Sequence, residues 1–127
     1  MVQAIASRAD DDRITIVAWN GTVDVTKAEG EPRLDRSVTL TISGLDARRY
    51  QLRHRRLDHA HSNLVAAWAD VGGTADWPDE GQWLELAARD RLEELEPERT
   101  IEVADDSIER TFELPMPSVS LVELAPG

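Results

Sequence analysis

The sequence contains no cysteine, which excludes disulfide bonds and thiol catalysis. Aromatic residues are also scarce, at 5% of the 127 residues, and four of them are tryptophan. No apolar run approaches the length of a transmembrane helix. The residues after Met1 lack the basic start and the apolar stretch of a secretory signal. We therefore expect no membrane segment, and the cytoplasm is the favoured location.

Positive charge is sparse as well, since 14 Lys and Arg face 25 Asp and Glu, for a net charge of −11. This balance argues against nucleic acids and anionic membranes as partners, because phosphate binding needs clustered basic residues. The arginine-rich run at residues 48–56 is the exception. In a strand, Arg49, Gln51, Arg53 and Arg55 would share one face, and we expect that face to be solvated and paired with neighbouring carboxylates.

Hydrophobic periodicity predicts the secondary structure, and the length fits one domain spanning residues 1–127. Short alternating segments indicate seven strands, at residues 2–8, 13–20, 37–43, 50–57, 100–104, 107–114 and 118–124. Apolar stripes indicate one helix over residues 64–71 and a second that starts at Pro78, reaches Leu95 and stops at residues 96–98. Strands joined by turns favour a mainly β protein, an antiparallel β-sandwich of about seven strands with a short two-helix insertion.

A polar string joins the fourth strand to the first helix, and its members are Asp58, His61, Ser62 and Asn63. Helix amides need side-chain oxygens at such a junction, and Ser62 or Asn63 is well placed to supply one. Asp58, His59 and His61 also have the composition of a metal site. The alternative is that Asp58 and His61 bridge the junction by hydrogen bonds alone.

Several short motifs occur in an order that resembles the C-terminal β-sandwich domain of glycoside hydrolase family 39. This is the β-xylosidase family, which is related to the α-L-iduronidases. The matching pieces span roughly residues 5–126 and are Ala18-Trp19-Asn20, Ile42-Ser43-Gly44-Leu45, Tyr50, Asp58, His61-Ser62-Asn63, Trp68, Gly72, Gln82, Leu86 and Ser118-Val119-Ser120-Leu121. The approach to the second helix, residues 73–78, departs from the proline-rich approach that is usual in the family.

The resemblance implies a non-catalytic accessory domain of a β-xylosidase-type enzyme that breaks down xylan oligosaccharides. Enzymes of this family are retaining glycosidases whose two catalytic Glu residues lie on a (β/α)8 barrel, which needs about 250 residues. We therefore expect no catalytic residue, metal or cofactor in this chain, and the parent's barrel as its partner. Glu93, Glu94, Glu96 and Glu98 are interpreted as a solvated helix end and its exit. The resemblance also favours hydrogen bonds over a metal at the junction.

Two further expectations concern surfaces. In the family, strands from near the N-terminus of the whole protein complete the sandwich, so their absence would leave an open sheet edge for a homo-oligomer. The tryptophans suggest a function of another class, a stand-alone carbohydrate-binding β-sandwich with Trp77 as its sugar platform. Trp68 and Trp83 lie on apolar helical stripes and are expected in the core, whereas Trp19 could lie on either face of its strand.

Overall fold

A computed structural model describes residues 1–74 and 76–127; Ala75, in the approach to the second helix, lies outside the described residues. Its strands form two antiparallel sheets with a pair of helices between the fourth and fifth strands, which confirms the predicted β-sandwich. In chain order the elements are β1 (Val2–Arg8), β2 (Ile14–Asn20), β3 (Arg36–Ile42), β4 (Arg49–Leu57), α1 (Leu64–Asp70), α2 (Glu80–Arg89), β5 (Glu93–Glu102), β6 (Ile108–Leu114) and β7 (Ser118–Pro126). Two short 3₁₀ turns, Val25–Lys27 and Pro32–Leu34, lie in the connection between β2 and β3.

The larger sheet has the strand order β1-β2-β7-β4-β5, and the smaller sheet pairs β3 with β6. β1 and β2 form the predicted hairpin, in register from Val2 opposite Asn20 to Arg8 opposite Ile14. Its turn uses Asp12 at φ 65°, a left-handed conformation that Asp tolerates better than most residues. β1 and β5 are the edge strands of the larger sheet, and each strand of the smaller sheet has one unpaired side.

The core lies between the two sheets, because alternate residues of the central strands point inward. Burial alternates along β2, β4 and β7, and all three strands turn their buried residues toward β3 and β6. The resulting cluster consists of Ile14, Ile16, Ile42, Leu45, Tyr50, Leu52, Ile108, Val122 and Leu124.

The basic run forms β4, and its two faces separate as the sequence predicts. Tyr50, Leu52, His54 and Arg56 are buried. On the outer face, Arg53 lies 3.6 Å from a carboxylate oxygen of each of two β5 residues, Glu94 and Glu98. Arg55 donates to Glu123 of β7 at 2.5 Å. These outer arginines therefore form ion pairs across neighbouring strands.

The predicted extent of the second helix is wrong. The helix ends at Arg89, and the residues assigned to its last turns form β5 instead. Pro97 lies inside this strand, where Pro97 and Glu98 together face Arg53 in a β-bulge. An edge strand accommodates a proline because its outward amide needs no partner. Pairing with β4 outweighs the helical propensity of the Glu- and Leu-rich segment.

The start of α2 also differs from the prediction, which placed Pro78 in the first helical position. The helix begins at Glu80, with Asp79 as its N-cap. The Asp79 carboxylate accepts from the amide of Gln82 at 2.8 Å, and the Gln82 side chain accepts from the amide of Asp79 at 3.0 Å. This reciprocal capping box fixes the first turn, so Pro78 precedes the cap.

Neither helix in the described part of the chain has the length and apolar composition that crossing a membrane requires.

Candidate functional site

The predicted polar junction is organised around Arg56, a cation at the end of β4 that is only 2% exposed. Its Nε donates to Ser120 Oγ at 2.8 Å, and Nη2 donates to the carbonyl of Glu113 at 2.9 Å. Nη1 lies 3.4 Å from Oδ2 of Asp58. Burying a charge is costly unless it is paired and hydrogen-bonded, and these contacts meet both conditions.

Asp58 connects this cation to the loop that follows β4. Its Oδ1 accepts from the amides of Ala60 and His61 at 2.8 Å each, and from Nδ1 of His61 at 2.8 Å. Desolvation of the carboxylate is the largest influence and would raise its pKa, but the hydrogen bonds from His61 and Ala60 together lower the pKa of Asp58 below its ordinary value. The carboxylate therefore stays charged beside Arg56.

Ser62 and Asn63 complete the junction in different ways. Ser62, at φ 55°, donates from Oγ to the carbonyl of Arg56 at 2.8 Å and accepts from the amide of Glu93 at 2.8 Å. Asn63 is the N-cap of α1, since its Oδ1 accepts from the amides of Val65 and Ala66 at 3.1 and 3.2 Å. Ser62 thus ties the junction to the start of β5, while Asn63 starts the helix.

Asp58, His59 and His61, the residues considered as metal ligands, differ in their surroundings. Both Asp58 oxygens accept hydrogen bonds, His61 Nδ1 contacts Asp58, and His59 is exposed. Over residues 1–74 and 76–127, no three His, Asp or Glu side chains are grouped so that they could hold a metal ion. Asp58, His61, Ser62 and Asn63 each form hydrogen bonds within the chain.

His54 extends the buried polar network into the core and was not singled out by sequence reasoning. Its Nε2 lies 2.8 Å from Ser120 Oγ, and its ring meets Phe112 edge-on at a centroid distance of 4.7 Å. Ser120 accepts from Arg56, which can only donate, so its own proton is free for Nε2 of a neutral His54. Burial, and secondarily the charge of Arg56, lower the pKa of His54 to about 4.

A wide groove lies beside the junction, with a volume of about 1040 Å³. One wall is formed by the junction loop and α1, and the opposite wall by residues 28–32, Asp35 and residues 115–117. Its floor contains the end of β2 and the start of β7, where Trp19 is paired with Val119 and Asn20 with Ser118. Asn20 is 2% exposed and donates from Nδ2 to the carbonyls of Leu34 and Leu114 at 2.8 and 3.1 Å. This contact holds the opposite wall against the larger sheet.

The four tryptophans occupy different environments. Trp77 is 89% exposed, and Trp83 is 59% exposed, so the expectation that Trp83 lies in the core is wrong. Its helix α2 has no buried residue; Leu86 is half-buried, whereas Trp83 and Leu84 are largely exposed. Trp68 is half-buried and donates from Nε1 to the carbonyl of Thr74 at 3.2 Å. Trp19 lies half-buried on the outer face of β2 and lines the groove.

The four glutamates assigned to a helix end have structural contacts in β5. Glu93 accepts from the amide of Ser62, and Glu96 accepts from Arg110 at 2.5 Å. Glu94 and Glu98 share Arg53 on the outer sheet face. None of these four glutamates lines the groove, so no pair of them converges on it.

The fold is a β-sandwich with a helical insertion, and comparison with known proteins identifies the enzymes that share it. No protein-family model and no curated protein matches the sequence. Among solved structures, a glycoside hydrolase family 39 enzyme from Xanthomonas axonopodis pv. citri is 18% identical with a TM-score of 0.75, and the match covers 98% of this chain and 26% of that one. A bacterial orthologue of human α-L-iduronidase is 19% identical with a TM-score of 0.78, covering 99% and 22%.

A monomeric β-xylosidase from Caulobacter crescentus CB15 is 28% identical with a TM-score of 0.64, covering 98% of this chain and 26% of that one. The chain therefore spans about a quarter of the length of these enzymes. The resemblance that the motifs predict is confirmed: over nearly its whole length, the chain has the fold of a region of glycoside hydrolase family 39 enzymes. The coverage is consistent with a C-terminal domain of such an enzyme.

The pKa of His54 generates a testable pH dependence. Its folded-state value of about 4 lies below the ordinary 6.5, so the folded protein binds fewer protons than the unfolded chain. The contribution of His54 to the free energy of unfolding is therefore greatest above pH 6.5, and we expect it to fall by up to about 3 kcal/mol as the pH drops to 4. Chemical denaturation across this range should show the loss in the parent protein and in His59→Phe, whose imidazole is exposed, but not in His54→Phe. Parallel pH profiles for all three proteins would contradict this account of His54.

Proposed function

We propose that this chain is a non-catalytic accessory domain of a β-xylosidase-type glycoside hydrolase that acts on xylan oligosaccharides. In this role the sandwich packs beside a (β/α)8 barrel that carries the retaining active site. The observation that carries the proposal is the coverage of the structural matches: nearly all of this chain aligns with about a quarter of each family 39 enzyme. The preference for xylose rests on the two β-xylosidases of Caulobacter crescentus, which are 28% and 26% identical to this chain.

The acidic residues support a non-catalytic role. Retaining glycosidases need two carboxyl groups about 5 Å apart across a bound sugar. Four of the five acids of β5 have partners within the chain: Glu94 and Glu98 pair with Arg53, Glu96 with Arg110, and Glu93 accepts from the Ser62 amide. Asp58 is bound to Arg56. Each of these carboxylates has a structural partner that a catalytic acid would have to lose.

Hydrolysis of p-nitrophenyl β-D-xyloside tests the proposal. We expect the purified chain alone to release nitrophenol at the buffer rate. The DNA flanking its gene should encode a (β/α)8 barrel, and the barrel together with this chain should hydrolyse the xyloside. Turnover of the xyloside by the chain alone would contradict the accessory role. So would flanking DNA that encodes no glycoside-hydrolysing barrel.

Exposure of Trp77 and Trp83 favours a second function, binding of carbohydrate by the chain itself. Exposed indole rings can pack against the apolar face of a pyranose, and both side chains are more than half exposed. Titration with xylohexaose separates the two functions. The accessory role predicts no change in tryptophan fluorescence at millimolar sugar, whereas a saturating change that Trp77→Ala removes and Trp68→Phe retains would favour the binding module.

The accessory role has a consequence for self-association, because β1 is an open edge in this chain. β5, the other edge of the larger sheet, is protected by the Pro97 bulge and by charged residues, whereas β1 pairs regularly over all seven of its residues and is mostly exposed. A second copy could therefore add to β1.

Sedimentation equilibrium tests this pairing. We expect dimers to form with rising concentration, and Ala6→Lys to suppress them because a lysine on an edge strand blocks pairing. Ala88→Lys, an equivalent change on the exposed side of α2, should leave association unchanged. A monomer at millimolar concentration would exclude pairing through β1.

A further inference from the structure

The groove beside the junction has an apolar floor and one apolar wall. Trp19 and Val119 contribute to the floor, while Leu57, Leu64 and Val65 line the side that belongs to the end of β4 and to α1. Of these, Leu57 is 49% exposed, Leu64 40%, Val65 81% and Val119 38%. So many large apolar side chains left open in one place are typical of an interaction surface.

The apolar floor continues onto the outer face of the larger sheet. The row Trp19–Val119–Leu57 is followed by a second row that runs across β1, β2 and β7 through Ile5, Val17 and Leu121. On β4 this second row ends at Arg55, opposite Leu121, and Arg55 pairs with Glu123 of the next row, where the outer face becomes charged. An apolar centre bordered by charges on one side is the usual anatomy of a protein interface.

The charge of the groove has one sign. Glu29, Glu31, Asp35 and Asp58 line it, and no Lys or Arg does. Asp58 is neutralised by Arg56. Within the described part of the chain, the other three carboxylates have no cationic nitrogen within 4.0 Å. An occupant that carries Lys or Arg next to apolar side chains would pair its charges with these carboxylates and its apolar side chains with the apolar floor and wall.

The polar atoms of the groove are poorly suited to a sugar. Asp58 Oδ1, Asn63 Oδ1, Ser62 Oγ and Asp35 Oδ1 already accept hydrogen bonds from this chain. Sugar hydroxyls on the junction side would have to share these acceptors, and Leu57, Leu64 and Val65 on the apolar wall offer them none. A second copy seated groove to groove is also disfavoured, because it would bring Glu29, Glu31 and Asp35 against the same carboxylates.

We propose that the groove is the docking site for a segment of the catalytic domain whose apolar side chains are flanked by Lys or Arg. The proposal rests on the accessory role argued above and adds the surface and the chemistry of the contact. Val65 and Leu64 supply the apolar anchor on α1, and Glu29, Glu31 and Asp35 supply the charge on the opposite wall.

Two synthetic amphipathic peptides of about 14 residues test the chemistry of the groove. Both have leucine on one face; one has lysine on the other face, and the second has glutamate in place of each lysine. We expect the lysine peptide to shift the NMR signals of Trp19, Leu64 and Val65, with an affinity that falls as salt rises. The glutamate peptide should bind roughly tenfold more weakly or not at all.

Matched variants locate the site. Val65→Ser should weaken binding of the lysine peptide, while Val23→Ser, at a fully exposed position outside the groove, should not. Glu29→Lys should weaken it more than Glu85→Lys, which changes the net charge equally on the exposed side of α2. Equal binding of the two peptides, equal effects within either pair of variants, or xylohexaose shifting the groove signals would each overturn the proposal.

The outcome is separable from that of the xyloside assay. Absence of peptide binding with a barrel-dependent xylosidase would overturn this docking site and leave the accessory role intact. Selective peptide binding without any glycosidase barrel would overturn the accessory role, and with it the identity of the partner, while supporting the apolar and basic chemistry of the occupant.

Discussion

The structure depends on one buried cation. Arg56 lies at the end of β4 and contacts Ser120 on β7, the backbone of β6 and Asp58 in the junction loop. Removing Asp58 or Ser120 would leave a charge or a donor without its partner in the interior, which costs far more than an exposed contact. The cation therefore couples the two sheets to the junction, and through Ser62 the junction is coupled to β5.

The contacts of Arg56 account for how the polar string is held between the strand and the helix. A strand that ends on a buried arginine needs a carboxylate nearby, and the chain must then turn sharply into a helix. Asp58, Ser62 and Asn63 supply the counter-ion, the tie to β5 and the helix cap. The groove between α1 and the loops opposite lies beside this junction, and Leu57, Leu64, Val65 and Val119 are left exposed in it.

The sequence predicts the strands and the junction well because both follow local rules. Alternation identifies β2, β4 and β7, and the polar residues before the apolar stripe limit the cap of α1 to Ser62 or Asn63, of which Asn63 is the N-cap. The predicted fifth strand begins only at residue 100, so residues 93–99 of β5 were missed. Their Glu and Leu residues favour a helix, and pairing with β4 stabilises the strand instead. The Arg56–Ser120 contact joins residues 64 positions apart, and no local pattern reports such a distance. The exposure of Trp83 was missed for a similar reason: an apolar stripe shows that a helix needs a cover, but not whether its own chain provides one.

The central claim is that this sandwich is an accessory domain docked through its groove. Hydrogen–deuterium exchange tests it by comparing the chain alone with the chain joined to the catalytic barrel. We predict that the amides of residues 57–66 and 116–119 gain protection when the barrel is present, while those of β5 are unchanged. Unchanged exchange in these groove segments, or protection confined to another face, would contradict the account.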